Sequence, residues 1–299
     1  MSDLDTHTNP DHLPVVTRFA PSPTGFLHLG HAYAALFAYR AAKGANGDGE
    51  GRFLLRIEDI DPGRCRPEFE DAIYEDLAWL GLDWEQPVRR QSDDLAEFES
   101  ALDRLNRMGL LYPCFCSRSD IKAEIEAAGG APHLAPTGPD GPIYPGTCRK
   151  LTDTQRKTRA DGATAFALRL DMAKAIKTAG PLHWTDMAKG CVSATPEIFG
   201  DVVLARKDIP TSYHLSVTID DHLQGVTLVT RGEDLFPATH IHRLLQHLLG
   251  LNTPLYHHHG LLTAADGRRL AKRNKAETIR DLRKNGYSSS DVRRMAGIL

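Results

Sequence analysis

Apolar and polar positions along the chain fall into two registers. Val15–Phe19 and Arg52–Ile57 are short apolar runs bounded by turn formers, and each reads as a buried strand. Between them the turn-rich APSPTG and then HLGH lead into an Ala-rich helical run from Ala32 to Ala42, with Gly44 at its C-terminus. Residues 45–51 form a Gly-rich loop. Pro67 opens a second helix in which Phe69, Ile73, Leu77 and Leu80 recur at helical spacing. A third runs from about Asp94 to Met108, with Leu95, Phe98, Leu102 and Leu105 on one face. Strands alternating with helices predict an α/β fold with a parallel sheet.

The pattern changes after Gly109. Residues 110–195 hold LLYPCFC, one short helix and GGAPHLAPTGPDGPIYPG, a stretch too rich in breakers for regular structure. This region reads as an insertion domain. The α/β pattern resumes near Phe199 with DVVLAR, the strand GVTLVT and a helix at 239–249, and from about Leu251 the chain reads as mainly helical. The expected division is a disordered lead-in at 1–14, halves of the α/β domain at 15–109 and 196–250, the insertion at 110–195 and a closing segment at 251–299. No internal repeat is visible.

Composition narrows the class. With 299 residues, 41% hydrophobic and 25% charged, the balance is that of an ordinary globular protein. No apolar run reaches the roughly 18 residues of a membrane span, and the polar N-terminus MSDLDTHTNPDHLP lacks the features of a signal peptide. A cytoplasmic protein is expected. The net charge of −3 excludes a uniformly basic coat, but the charge is uneven. Asp48 to Asp103 carries 17 acidic and 6 basic residues, whereas Ala264 to Leu299 carries 10 basic and 4 acidic. Arg268, Arg269, Lys272, Arg273, Lys275, Arg280, Arg283 and Lys284 could hold RNA phosphates at that end. A solvated helical face is the alternative, and charge alone favours it.

Two constellations carry chemistry. His28–His31, HLGH, lies between a strand and a helix, where free N–H groups and the positive dipole end make a phosphate site. Gly30 permits close approach, and both imidazoles can donate to phosphate oxygens. Among five cysteines, Cys114 and Cys116 form a Cys-x-Cys pair and Cys148 follows on a distant loop, an arrangement that can surround a metal given a fourth ligand such as His133. Three unrelated buried thiols are the competing reading. Cys65 and Cys191 lack a partner and read as small buried residues. The run His257–His259 suggests a metal, but strand alternation sends neighbours to opposite faces, so a structural role is favoured.

RFAPSPTGFLHLGH resembles the opening signature of glutamyl-tRNA synthetases, HLGH matching the class I "HIGH" motif. LLRIEDID from Leu54 to Asp61 and TSYHLSVTIDDHLQGVTLVTRGEDL from Thr211 to Leu235 resemble the same family, and Arg269-Leu270-Ala271-Lys272-Arg273 resembles its "KMSKS" motif. The resemblance is closer to one branch, the glutamyl-Q tRNA(Asp) synthetases, which lack the anticodon-binding domains. The chain runs only 26 residues beyond Arg273, leaving no room for those domains. Arg269 and Ala271 depart from the usual Lys and Ser of the motif.

The resemblance implies a Rossmann-type class I catalytic domain with a zinc-containing insertion and a small C-terminal helical segment. It implies ATP-dependent activation of L-glutamate to glutamyl-adenylate and transfer to the queuosine base in the anticodon of tRNA(Asp). A shortened synthetase charging a tRNA 3′ end with a partner, and a non-catalytic RNA-binding relative, are the alternatives. By position in the motifs, His28, His31 and Lys272 would be catalytic, and these three with Gly30 would bind ATP. Arg18, Ala20, Ser22, Glu58, Tyr213 and Arg231 would bind glutamate. The YPGTC block resembles the family's zinc pattern, so one structural Zn²⁺ would sit on Cys114, Cys116, Tyr144 and Cys148. Mg²⁺ would travel with ATP, leaving Asp220 and Asp221 a structural or ribose-side role. A cytoplasmic monomer is expected.

Overall fold

Parallel pairing organises the molecule in a computed structural model, which describes residues 14–127, 136–161, 165–262 and 277–298. Strands β1 (Val16–Phe19), β2 (Arg52–Ile57) and β3 (Glu85–Arg90) form one parallel sheet in that order. Helix α1 (Leu29–Lys43) connects the first two strands and α2 (Pro67–Trp79) the next two. The Ala-rich face of α1 lets it lie close on the sheet, and Ala32, Ala35 and Ala38 are buried with Phe53, Leu55, Ile57, Ile73 and Leu77. Helix α3 (Leu95–Arg107) buries Phe98, Ala101, Leu102 and Leu105 against the second half, as its periodicity predicts. Truncating a core residue such as Leu105 to Ala would cost about 2–5 kcal/mol.

Residues 110–195 contain three α-helices among the described residues rather than one helix: α4 (Arg118–Ala127), α5 (Asp153–Asp161) and α6 (Met172–Ala179), besides a 3-10 turn at Cys148–Lys150. Strand β4 (Leu111–Cys114) pairs antiparallel with β7 (Ala167–Leu170). The two-residue strands β5 (Thr137–Gly138) and β6 (Gly141–Pro142) make a small hairpin within the breaker-rich stretch. Sheet pairing crosses residue 195 in both directions. Strand β10 (Val203–Ala205), within DVVLAR, joins β7 antiparallel instead of resuming the parallel pattern. Conversely, the hairpin of β8 (His183–Asp186) and β9 (Gly190–Ser193) adds to the second parallel sheet, ordered β11-β12-β8-β9, where β11 is Leu228–Gly232 and β12 is Leu255–His259.

That second sheet meets the first through Thr227, whose Oγ1 accepts from Val16 N at 2.8 Å and whose N donates to Val16 O at 3.0 Å. Helix α7 (Tyr213–Leu223) precedes β11, and α8 (Ala238–Leu249) connects β11 to β12. Strand β12 shows the expected alternation. His257 and His259 lie on Phe37 of α1 with ring centroids 4.9 Å away, whereas His258 turns to Asp186. Cys191 is exposed, contrary to the buried position expected, because it stands on β9, at the end of the sheet order; Cys65 is half-buried.

The last helices, α9 (Ile279–Lys284) and α10 (Ser289–Met295), share the core of the first half through Ile279, Leu282, Val292, Ala296 and Ile298. Arg283 spans the charge asymmetry of the sequence internally, donating to Glu75 at 2.8 Å and to Asp76 at 3.3 Å on α2. Its place among the phosphate-holding residues is therefore corrected: α9 packs on α2 and two carboxylates already take the guanidinium. Arg280 lies over the ring of Phe26, and Arg268, Arg269, Lys272, Arg273 and Lys275 fall outside the described residues. No described helix is long and apolar enough to cross a membrane.

Candidate active site

His28 is the N-cap of α1, and HLGH folds into a reciprocal cap built from the two histidines. His28 Nδ1 accepts from Gly30 N and His31 Nδ1 accepts from His28 N, each at 3.1 Å. Both rings therefore carry their proton on Nε2, the tautomer that can donate to an anion. The rings lie 3.8 Å apart, and no acidic residue occupies the first turn to offset the dipole. The start of α9 docks alongside: His28 and Thr278 form an antiparallel bridge, and Ile279 N donates to Leu27 O at 2.8 Å. The residues between 262 and 277, Lys272 among them, lie outside the described structure, but residues on both flanks, His259 and Thr278, pack on α1 or its cap.

At the C-terminal ends of β1, β2 and β11 lies a buried ionic cluster. Arg18 on β1 donates through Nε to Asp221 Oδ1 at 2.9 Å and through NH1 to Thr230 O at 3.1 Å. Arg56 on β2 is fully buried and donates to the same Asp221 oxygen at 2.8 Å, to Gln224 at 2.9 Å and to Glu58 at 3.3 Å. Burial would raise the Asp221 carboxyl, but Arg18 and Arg56 outweigh it and hold it below its ordinary value. Glu58 goes the other way. Burial pushes its carboxyl up, and Arg56 and Arg18 recover only part of the shift. Asp220 is held by Arg89 at 2.8 Å and Gln91 at 2.7 Å. The Asp220-Asp221 pair thus serves arginines, in keeping with a structural role.

Arg231 on β11 has different surroundings. Its Nε donates to His258 Nε2 at 3.2 Å, NH1 faces His242 Nδ1 at 3.2 Å and Tyr213 Oη at 3.4 Å, and NH2 donates to Thr239 Oγ1 at 2.6 Å. All four partners are uncharged acceptors when the imidazoles are neutral. Burial raises the Tyr213 phenol, with Arg231 and Arg18 opposing and Glu58 adding to the shift. Arg18, Glu58, Tyr213 and Arg231 are thereby brought into one cluster, in which Tyr213 is half-buried and the other three are buried. Ala20 and Ser22 sit on the β1–α1 loop, which Glu58 N ties down by donating to Pro21 O at 3.0 Å; Ser22 is exposed. Sequence reasoning missed Arg56, His242 and His258. An arginine inside the apolar run of β2 was a usable signal for the first; His258 stood in the run His257–His259, which was given only a structural role, and His242 gave no signal.

The thiols also come together. The sulfurs of Cys114, Cys116 and Cys148 lie within 4.8 Å of one another, and those of Cys116 and Cys148 are 3.5 Å apart. Tetrahedral zinc bound at about 2.3 Å requires sulfurs about 3.8 Å apart, so the donor set could hold a metal ion. Tyr144 Oη lies 3.7 Å from Cys116 Sγ and accepts from Cys148 N at 2.8 Å, at the edge of the same cluster. Burial raises the Cys116 thiol to about 12. On Cys148, hydrogen bonds led by Tyr144 outweigh the same burial and lower the thiol. His133, the other possible fourth ligand, falls outside the described residues.

Residues 14–297 match the family model for the catalytic domain of class I tRNA synthetases of the E and Q type. A glutamyl-Q tRNA(Asp) synthetase of Rhodobacter capsulatus is 50% identical over 291 residues, covering 95% of this chain and 100% of that protein. One from Symbiobacterium thermophilum is 42% identical over 284 residues, covering 92% of this chain and 83% of that one. The crystal structure of a glutamate tRNA ligase from Elizabethkingia meningosepticum in complex with its amino acid superposes with a TM-score of 0.72 at 30% identity, over 92% of this chain and 54% of that ligase.

Proposed function

The chain belongs to the class I tRNA synthetases of the glutamate and glutamine type, and from that premise we propose that it activates L-glutamate with ATP and transfers it to the queuosine base in the anticodon of tRNA(Asp). One structural observation carries the activation step: a cluster of Arg18, Glu58, Tyr213 and Arg231, with Glu58 tied to the loop that leads from β1 to a helix N-terminus capped by His28 and His31. Glu58 takes the α-ammonium, which offsets the burial that otherwise raises its carboxyl. Arg231 and the Tyr213 hydroxyl take a carboxylate, for which a guanidinium is well shaped.

The α-carboxylate attacks the α-phosphorus of ATP, a bond forms from carboxylate oxygen to phosphorus, and pyrophosphate leaves with its Mg²⁺. The nucleophile is already ionised, so positioning and charge stabilisation suffice. His28 and His31 donate to the phosphates, the backbone of Gly30 allows their approach, and Lys272 meets the charge that develops on them. Cys114, Cys116, Cys148 and Tyr144 would hold one Zn²⁺, which would staple the insertion. The protein acts in the cytoplasm as a monomer.

The base as acceptor draws support from relatives matched nearly end to end. Labelled glutamate and ATP offered to tRNA(Asp) with and without queuosine test it. Labelling is expected only on the queuosine form, and it should survive destruction of the 3′-terminal diol while the queuosine diol is protected. Equal labelling of both forms, or labelling lost with the 3′ diol, overturns the base as acceptor.

A further inference from the structure

Arg231 is buried, yet no carboxylate lies within ion-pair distance of it among the described residues. Arg18 and Arg56 in the same cluster are each matched to Asp221. An unpaired buried cation is costly, so its surroundings must hold it by dipoles and by the Tyr256 ring, whose centroid is 5.6 Å from the guanidinium carbon. Hydrogen-bond polarity shows how. A guanidinium only donates. Facing Arg231 Nε, His258 Nε2 must accept, which leaves the proton on Nδ1, 2.7 Å from buried Asp186. Facing NH1, His242 Nδ1 must also accept, so its Nε2–H points to His214 Nδ1 at 3.3 Å. His214 Nε2 in turn lies 3.7 Å from Asp140 on the β5–β6 hairpin. Burial first and Arg231 second keep both imidazoles neutral: His242 well below its ordinary value and His258 at about 4 despite Asp186.

We propose that Asp186 through His258, and His214 through His242, are positioning residues that present Arg231 as an uncompensated cation, so that the pocket selects a carboxylate over a carboxamide. The inference rests on the reading that Arg231 binds the substrate. Glu58, which takes the α-ammonium, interacts with Arg56, Arg18, Asp220 and Asp221. Arg231 is not among those groups and reaches the cluster through Tyr213, 3.4 Å from its NH1, so the proposal gives it the side-chain end, where glutamate and glutamine differ. Had either imidazole been a carboxylate, the guanidinium would be neutralised before substrate arrived. A neutral carboxamide would then lose less by comparison.

Asp186 offers the sharper test. Its Oδ2 accepts from His258 Nδ1 and from His258 N at 3.2 Å, and Oδ1 accepts from Ala188 N at 2.9 Å and Lys189 N at 3.0 Å. In Asp186→Asn either orientation of the amide sets an NH₂ against N–H donors. With the carbonyl oxygen kept toward Ala188 N and Lys189 N, the NH₂ faces His258, which is relieved at its ring by turning to the tautomer with hydrogen on Nε2, a proton that then opposes Arg231 Nε.

The test is ATP–pyrophosphate exchange by the full chain, with and without tRNA, reading the KM for glutamate, glutamine and ATP. Asp186→Asn should raise the glutamate KM about tenfold to hundredfold, the loss of a well-made bond to a charged group, with kcat and the ATP KM held. His242→Glu should lower the glutamate-to-glutamine ratio of kcat/KM about tenfold or more, and it decides the matter should the Asp186 variant not fold. Wild-type glutamate KM and wild-type ratio in both variants would overturn the inference while leaving the activity standing. No glutamate-dependent exchange by the wild type under either condition would overturn the functional reading and this inference with it.

Discussion

Arg18 Nε donates to Asp221 Oδ1 at 2.9 Å, joining β1 to α7 across 203 residues of sequence. The same oxygen accepts from Arg56, so one carboxylate holds two buried guanidinium groups. Asp221→Asn would leave both without their shared counter-ion. Breaking a buried pair in this way costs about 3–5 kcal/mol, read as a lower Tm and a lower urea midpoint. The sign follows from the depressed carboxyl of Asp221. Its stabilisation is present above the ordinary carboxylate range and is lost as pH falls below about 4, so the variant should show a shallower acid limb.

Asp76 behaves in the opposite sense. Burial raises its carboxyl to about 6, with Arg283 opposing. The folded protein then binds a proton that the unfolded chain releases between pH about 4 and 6. Its contribution is greatest below about 4 and declines as pH rises through about 6, a change of at most about 3 kcal/mol. Urea denaturation of Asp76→Asn against the wild type at pH 4.5 and 7 should show that the part of the slope due to this carboxyl is gone.

The thiol cluster predicts one zinc per chain in protein purified without chelator, measured by elemental analysis. Tyr144→Phe should lower the retained zinc under mild chelation; full retention would move the fourth ligand away from Tyr144. Stripping the metal should lower the Tm, since ligand binding contributes directly to folding.

Lys272→Ala should reduce kcat of adenylation by about 10²–10³-fold with little change in glutamate KM, as expected of a charge met mainly in the transition state. Pyrophosphate exchange measures both, and an unchanged kcat would remove Lys272 from the catalytic set.

Sequence patterning made α3 legible because it is amphipathic. Phe98, Leu102 and Leu105 are spaced at helical period and are buried together on α3. Helix α7 defeats the same reasoning. Leu215 through Asp221 are all buried, so there is no polar face to reveal a period. Its buried Asp220 and Asp221 are tolerable only because arginines 131 to 203 residues away arrive on other strands. The site was legible where chemistry is local, as in His28-Leu29-Gly30-His31. It was illegible where a histidine matters through the tautomer that a distant carboxylate imposes, as His258 does through Asp186.

The docking of α9 and α10 has a consequence for how the polypeptide could be divided. Their apolar residues complete the core beneath α1 and α2, Arg283 pairs with α2, and Arg293 donates to Leu80 O. These helices thus belong to the first half of the fold although they are written last in the chain. Two separately expressed fragments, one ending near residue 262 and the other beginning near 277, would carry complementary surfaces. The smaller fragment would have no core of its own and would fold only on the larger, much as a ligand does.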